Sequence, residues 1–370
     1  MAKQNKIGIF TYMLNNYGAV LQSFALQHYL QTNGAADVEI VNFETIRHQQ
    51  LNKIFRKYSD NFLVQLCFIM LTLLRYKQLK QRKIKTLLFK RKYMKFTRVY
   101  TSQTDLFSNL PEKDVYVSGS DQVFNPNGLK RDVYYLNFEK GRSKKVAYAP
   151  SWGTSVFSQI TVDIIKKHIS DFDALSCREE DGADMMSKLL GKDIPTVADP
   201  TLLLSQDEWL AVAELPRYKK NYICIYDLNG AEHLITIAKQ IQRRTSFDIV
   251  CITNKIQKFY DVNKQIYSAG PAEFVGWIAN AKYVVTDSFH GMMFSLIFRR
   301  PFYIYIAVPA SSARIRSILS RFDLLDRIVE NNESDSFVFK ALPLHDYSQL
   351  LEDFTSISKA YIQNYILEQR

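Results

Sequence analysis

Short apolar strands that end in a polar loop and run into a helix recur along this chain. That alternation limits its fold more than any other feature, because strands separated by helical crossovers pair in parallel. The clearest case lies between Ala281 and Arg299. Tyr283 to Val285 reads as a short buried strand and Gly291 to Phe298 as an apolar helix. Thr286-Asp-Ser-Phe-His-Gly291 makes the turn between them. In an open α/β sheet such a turn lies at the carboxyl end of the strand, where ligands bind. The unpaired N–H groups of the helix start favour an anion there. His290 is therefore placed to face a phosphate or carboxylate. In the plainer reading Asp287 or Ser288 caps the helix and His290 is a loop residue.

The same unit opens the chain. Lys6 to Phe10 and Asp37 to Phe43 read as strands flanking an amphipathic helix over Tyr17 to Leu30. The first turn, Thr11 to Gly18, has no G-x-G-x-x-G, so a dinucleotide fingerprint is absent. Asn15, Asn16 and Gly18 could still offer amides to a ligand, although such residues are also ordinary turn formers. Strands follow over Asp114 to Val117, ending in Ser118-Gly-Ser-Asp-Gln-Val-Phe-Asn125, and over Lys145 to Ala149. Ala174 to Cys177 ends in Arg178-Glu179, and Thr196 to Ala198 leads into Asp199-Pro-Thr-Leu-Leu-Leu204. A strand-end arginine suits bidentate capture of carboxylate or phosphate; the alternative is a salt bridge to Glu179 or Glu180.

Near Ser205 the pattern restarts, with strands over Tyr222 to Tyr226, Phe247 to Ile252 and Phe302 to Val308. Helices over Ala231 to Gln242, Pro271 to Ala281 and Arg314 to Phe322 complete a second unit. With 370 residues there is length enough for two domains. The expectation is an α/β protein with one Rossmann-like domain over 1–204, a second over 205–344, and a last segment, 345–370, whose helix packs back on the first.

The net charge of +11 comes from one place. Between Asn61 and Thr104 stand eleven lysines and arginines and no acid, and outside that stretch 37 basic residues balance 37 acidic ones. Leu63, Leu66, Cys67, Met70, Leu73 and Leu74 recur there at helical spacing ahead of a basic second half. Two helices inserted into the first domain over about 47–100 are expected. Their basic face is either merely solvated or meets an anionic surface such as lipid head groups or a lipid-linked phosphate. Nucleic acid is disfavoured, since no recognised binding module accompanies the charge. Phe62 to Leu74, the longest apolar run at 13 residues, is too short to span a bilayer. The four cysteines have no metal-like or paired spacing and read as small core residues in a reducing compartment. The first residues run straight into a strand, so no signal peptide is expected.

Taken together, Tyr17-Gly-Ala-Val-Leu-Gln-Ser-Phe-Ala-Leu-Gln27, Ser118 to Asn125, Ser176-Cys-Arg-Glu179, Asp199-Pro-Thr-Leu-Leu203 and Thr286 to Gly291 resemble, in order, the motifs of the polysaccharide pyruvyl transferase family. The resemblance spans nearly the whole chain apart from the basic insertion and the C-terminal helix. It implies two Rossmann-like domains in a GT-B-like arrangement with the active site in the cleft between them. It also implies transfer of the enolpyruvyl group of phosphoenolpyruvate to a sugar, forming a pyruvate ketal with release of phosphate, as in bacterial capsule or exopolysaccharide synthesis.

By the same resemblance His290 is the general acid that protonates the donor, with Asp121 as a candidate base. Arg178, Arg314, Ser288, Gly291 and Asn16 would bind the donor, and Asn15, Ser120 and Gln122 the acceptor. No metal and no cofactor beyond phosphoenolpyruvate as co-substrate is expected. The acceptor is expected to be a lipid-diphosphate-linked sugar and the enzyme cytoplasmic, resting on the inner membrane face. A nucleotide-sugar glycosyltransferase of GT-B architecture is the alternative, since fold does not fix function.

Overall fold

The computed structural model describes residues 4–13, 16–125, 132–139, 141–153, 159–230, 232–307, 312–330, 337–342 and 345–368. Six strands form the first sheet: β1 (Lys6–Phe10), β2 (Asp37–Phe43), β3 (Phe96–Tyr100), β4 (Val115–Ser118), β5 (Lys144–Ala147) and β6 (Ala174–Leu175). Six more form the second: β7 (Tyr222–Asp227), β8 (Asp248–Thr253), β9 (Lys264–Ile266), β10 (Tyr283–Thr286), β11 (Phe302–Ile306) and β12 (Ile328–Glu330). The orders are β3-β2-β1-β4-β5-β6 and β12-β11-β10-β7-β8-β9, and neighbouring strands pair in parallel. Renumbered from its own first strand, the second sheet has the order of the first. Both follow the doubly wound pattern in which the chain reverses direction across the sheet beside its first strand.

That reversal decides where a ligand can sit. In the first sheet it falls between β1 and β4, paired so that Phe10 stands beside Ser118. In the second it falls between β7 and β10, with Tyr226 beside Thr286. The loops after β1 and β4 flank the first crevice, and the loops after β7 and β10, the latter Thr286 to Gly291, flank the second.

The helix Tyr17–Thr32 differs from expectation. It is not amphipathic: Gln22, Ser23 and Gln27 are as buried as its apolar residues. The helix lies in the middle of the molecule, its Tyr17 stacked on Phe274 of the second domain and its Phe24 against Trp209. Gln27 Nε2 donates to the carbonyls of Val38 and Lys95 at 2.9 and 2.8 Å, and Gln22 Nε2 donates to Thr11 Oγ1 at 2.8 Å, while Gln22 Oε1 is buried without a partner among the described residues. A helix with neighbours on every side needs no polar face, only partners for its polar groups.

The insertion is a bent pair of helices, Phe62–Leu74 and Tyr76–Tyr93, meeting at 71°. It ends earlier than expected, because residues 96–100 form the edge strand β3. Thr97, Val99 and Tyr100 favour extended backbone, and the open side of β2 offers a ladder of hydrogen bonds. The insertion also reaches the second domain. A Cβ on Gly270 would fall 2.6 Å from the Cβ of Lys85, and Lys85 Nζ donates to Glu273 at 2.5 Å. Phe68, Ile256 and Tyr267 form a small shared core beneath the bend. Three cysteines are buried as expected, but Cys67 is exposed on the first of these helices.

Strand β11 matches expectation as far as Ile306, and Val308 lies outside the described residues. The last helix runs Ser348–Ile362 and continues through a π turn to Leu367. It lies on the first sheet, where Tyr361 donates to the Ala147 carbonyl at 3.0 Å and Ser358 accepts the Ala198 N–H at 2.8 Å.

Candidate active site

The loop after β10 is built by two capping interactions. Ser288 takes the N-cap position of the helix Phe289–Ile297, its hydroxyl accepting the Gly291 N–H at 3.3 Å. Asp287 instead accepts the N–H groups of Leu228 and Asn229, both at 2.9 Å, and so ties the end of β7 to the end of β10. Burial lifts the Asp287 carboxyl above its ordinary range, against the pull of those two donors. Between these fixtures His290 is held in the first turn of the helix, 6% exposed.

His290 meets the first domain there. A Cβ built on Gly18, in the first turn of the central helix, would lie 2.1 Å from the imidazole Nδ1. Only glycine leaves room for the ring. His290 Nε2 points to the other side, 3.7 Å from Asp199. That is too long for a direct hydrogen bond and close enough for strong charge coupling. Asp199 is wholly buried at the start of the turn Pro200–Leu203. It accepts from Thr201 N and Oγ1 at 3.0 and 2.8 Å and from Arg178 Nη1 at 2.8 Å, with the Ser120 hydroxyl at 3.5 Å. Burial alone would raise the Asp199 carboxyl, but His290, Arg178 and the Thr201 N–H outweigh it and hold the group well below the usual carboxylate range. Because the folded carboxyl takes up its proton less readily than the unfolded one, this group adds stability above the ordinary carboxylate range. The contribution is lost as pH falls through the depressed value.

Two guanidinium groups complete the cluster. Arg178, 1% exposed, lies 4.4 Å over the ring of Phe289, and Arg314 lies 5.7 Å from the same ring. Arg178 also contacts Glu179 at 3.4 Å, so the salt bridge named as the plainer reading exists, with Asp199 as the nearer partner. The Arg314 guanidinium is held below its ordinary range by burial and by the charge of Arg178. Among the described residues, Arg178 Nη2, Arg314 Nε and His290 Nε2 are buried without a hydrogen-bond partner. Buried donors of this kind are costly unless something accepts from them.

Asp121 stands within electrostatic range of both arginines. Its backbone is strained, at φ 73°, and its carboxylate accepts the Gln122 N–H at 2.9 Å. A non-glycine residue in that region is uncommon and worth noting at a ligand crevice. The structure thus brings His290, Arg178, Arg314, Asp121 and Ser120 into one cluster. Ser288 and Gly291 serve each other in the helix cap. Asn16 caps the central helix through the Gly18 N–H at 3.0 Å, and the Gln122 amide accepts from Asn125 at 2.9 Å. Asn15 lies outside the described residues.

The sequence did not mark Asp199 or Phe289 as site residues, although each lies inside a motif quoted above, and Gly18, marked there for its amide, instead makes room for the His290 ring. Their roles come from contacts across the domain junction. No group of three or more His, Cys, Asp and Glu among the described residues is disposed to hold a metal ion.

One prediction follows from the tight approach at Gly18. Gly18→Ala should force the imidazole aside, and a displacement of about 1 Å at a reacting group can cost on the order of 10²-fold in rate. Turnover should fall by that factor, beyond what the modest loss of stability from overpacking a buried contact, on the order of 1–3 kcal/mol and read as a lower melting temperature, would explain. Unchanged turnover would show that His290 does not act from this position.

A two-domain α/β protein with doubly wound sheets, and a buried imidazole and paired arginines between them, is what fold and site define. The sequence profile described as "Polysaccharide pyruvyl transferase" matches residues 16–308, and the chain belongs to that family. A comparison with curated proteins finds no significant match. Among solved structures, the chain resembles UDP-GlcNAc 2-epimerase from Methanocaldococcus jannaschii at 12% identity and a TM-score of 0.49, over 97% of this chain and 100% of that one. It resembles Arabidopsis thaliana UGT89C1 at 10% identity and a TM-score of 0.49, over 96% of this chain and 90% of that one. The S. aureus MnaA–UDP structure gives 10% identity and 0.47, over 98% and 89%. Likeness at this level says nothing of substrate.

Proposed function

We propose that this protein transfers the enolpyruvyl group of phosphoenolpyruvate to a sugar of a lipid-diphosphate-linked polysaccharide precursor, forming a pyruvate ketal. The observation that carries the reading is the pairing of His290 with two buried, incompletely partnered guanidinium groups. Phosphoenolpyruvate bears a carboxylate and a phosphate on adjacent carbons, and planar guanidinium forks suit both. His290 donates a proton to C3, turning the methylene into a methyl group and leaving C2 electrophilic. One sugar hydroxyl oxygen bonds to C2 and the second follows as the C2–O bond to phosphate breaks. Of the two hydroxyl protons, one restores His290 and the other leaves with phosphate. Asp121 is the carboxylate available to take a hydroxyl proton, and Asp199 holds the imidazole and Arg178 in register.

Release of inorganic phosphate from phosphoenolpyruvate, measured across lipid-linked and nitrophenyl glycosides with product masses, tests the reading. Phosphate release with a mass gain of one pyruvate less one water supports it. No release with any acceptor sinks it, and transfer from a nucleotide sugar instead would establish a glycosyltransferase.

The insertion supports a place on the membrane surface. Among the described residues no single helix is long and apolar enough to cross a membrane. Phe62, Leu63, Leu66, Met70, Leu73 and Leu74 are nonetheless exposed along one stripe of the first insertion helix. On the second, exposed Ile84, Leu87 and Leu88 share a face with Lys77, Lys80 and Arg91. Exposed apolar residues flanked by cations suit an anionic lipid surface, where each cation is worth about 1 kcal/mol before screening. Co-sedimentation with anionic but not neutral vesicles is expected, weakened by salt and by changing Lys77, Lys80 and Arg91 to Gln. Equal indifference to both vesicle types would show that this face meets only solvent.

A further inference from the structure

Behind the exposed stripe, between the insertion and the second domain, lies a cleft of about 290 Å³ that the cluster around His290 does not use. Four separate segments line it, and three of them bring charge. The stretch before the first insertion helix contributes Lys53, Arg56 and Tyr58, the basic helix contributes Leu79, Arg82, Lys83 and Thr86, and the loop after β8 contributes Asn254 to Gln257. Five of the lining residues are cations and none is an acid. Lys85, one residue along, does find a carboxylate in Glu273. Among the described residues Lys53, Arg56, Arg82, Lys83 and Lys255 do not. Lys83 reaches only a backbone carbonyl, that of Asn52 at 3.4 Å, and Arg82 stands over the ring of Tyr17 at 4.7 Å.

Like charges brought together by three segments repel one another unless an anion lies among them. Five cations are more than one phosphate monoester needs, and they suit a group with two linked phosphates. The cleft also has direction. Arg82 touches Tyr17, the neighbour of Gly18, against which His290 is packed. Phe68 lies in the wall of the cleft and belongs to the helix whose opposite face is the exposed apolar stripe.

We infer that this cleft seats a diphosphate ester, the anionic joint of the acceptor. Its sugar points past Arg82 toward His290 and its apolar chain runs out along the Phe62–Leu74 helix. The inference rests on the proposed transfer to a lipid-linked sugar and adds where that acceptor is held. Binding in the cleft would favour acceptors that carry a diphosphate over the bare sugar, and it would keep the lipid at the membrane surface.

The test uses the full chain and two triple variants. Arg56→Gln, Arg82→Gln and Lys255→Gln remove one cation from each wall. Lys188→Gln, Lys192→Gln and Lys359→Gln remove the same charge elsewhere. Inorganic pyrophosphate is titrated by calorimetry. The cleft variant should bind at least about tenfold more weakly than the unaltered protein, since charge-assisted contacts are lost, and the control should stay within about twofold. Equal pyrophosphate affinity in the cleft variant, or equal loss in both variants, overturns the site. The second arm compares kcat/KM for a sugar on an alkyl diphosphate with that for its nitrophenyl glycoside. The preference for the diphosphate should shrink at least about tenfold in the cleft variant. An unchanged preference overturns the acceptor assignment. Absence of phosphate release from phosphoenolpyruvate with every acceptor would instead sink the proposed reaction, and the pyrophosphate titration would still decide the site.

Discussion

Replacing His290 by alanine should leave the fold intact and lower turnover by about 10²–10⁴-fold, the usual loss when a general acid is removed. The structure gives reasons for both halves of that expectation. The ring is pinned between Gly18 and the Asp199 carboxylate, so its loss removes a proton donor held at the junction of the two crevices. The surrounding fixtures do not depend on it. Asp199 keeps Arg178 and Thr201, Ser288 keeps its cap, and Asp287 keeps its two backbone donors. His290→Gln sharpens the test, because it fills the space and can donate a hydrogen bond but cannot deliver a proton at neutral pH. Both variants should melt near the unaltered protein and turn over slowly. Turnover within a few-fold of the unaltered enzyme in either would remove His290 from the chemistry.

Arg178 should behave otherwise, because it serves structure and donor together. Its guanidinium is fully buried, bonded to Asp199 at 2.8 Å, near Glu179 at 3.4 Å and over Phe289. Arg178→Ala leaves Asp199 buried beside fewer positive groups, and breaking a buried pair from one side costs roughly 3–5 kcal/mol. That variant should both melt earlier and fail to use phosphoenolpyruvate. Arg178→Lys keeps the charge but loses the planar fork. It should recover most of the stability and little of the donor affinity, read as a raised KM for phosphoenolpyruvate. The split between the two readouts separates the roles. Full recovery of KM by lysine would show that charge alone binds the donor. A normal KM in both variants would leave Arg178 as a structural ion pair.

Much of this was legible in the chain because it is encoded locally. Strand β10, its capped turn and the helix after it are neighbours in sequence, and a run of apolar residues, a serine cap and a glycine suffice to specify them. The positions of His290 and Arg178 at strand ends follow from the same local grammar, since parallel sheets place those ends at one edge. Edge strand β3 was hidden for the converse reason. Residues 96–100 follow a basic helix, and only the open side of β2 makes them extended.

What the sequence determined alone was two α/β units, the loops that matter, and a basic insertion that accounts for the whole charge surplus. Tertiary structure decided which of those loops meet. Gly18 touches His290, Asp199 spans the gap to Arg178, and Phe289 lies between two arginines from different domains. It also turned the helix Tyr17–Thr32 from a surface element into the buried centre, and docked the insertion onto Gly270 and Glu273 of the second domain. Periodicity and caps act within a few residues along the chain. The charge coupling and close packing of the site join residues far apart in it, and those relations exist only once both sheets are folded against the same central helix.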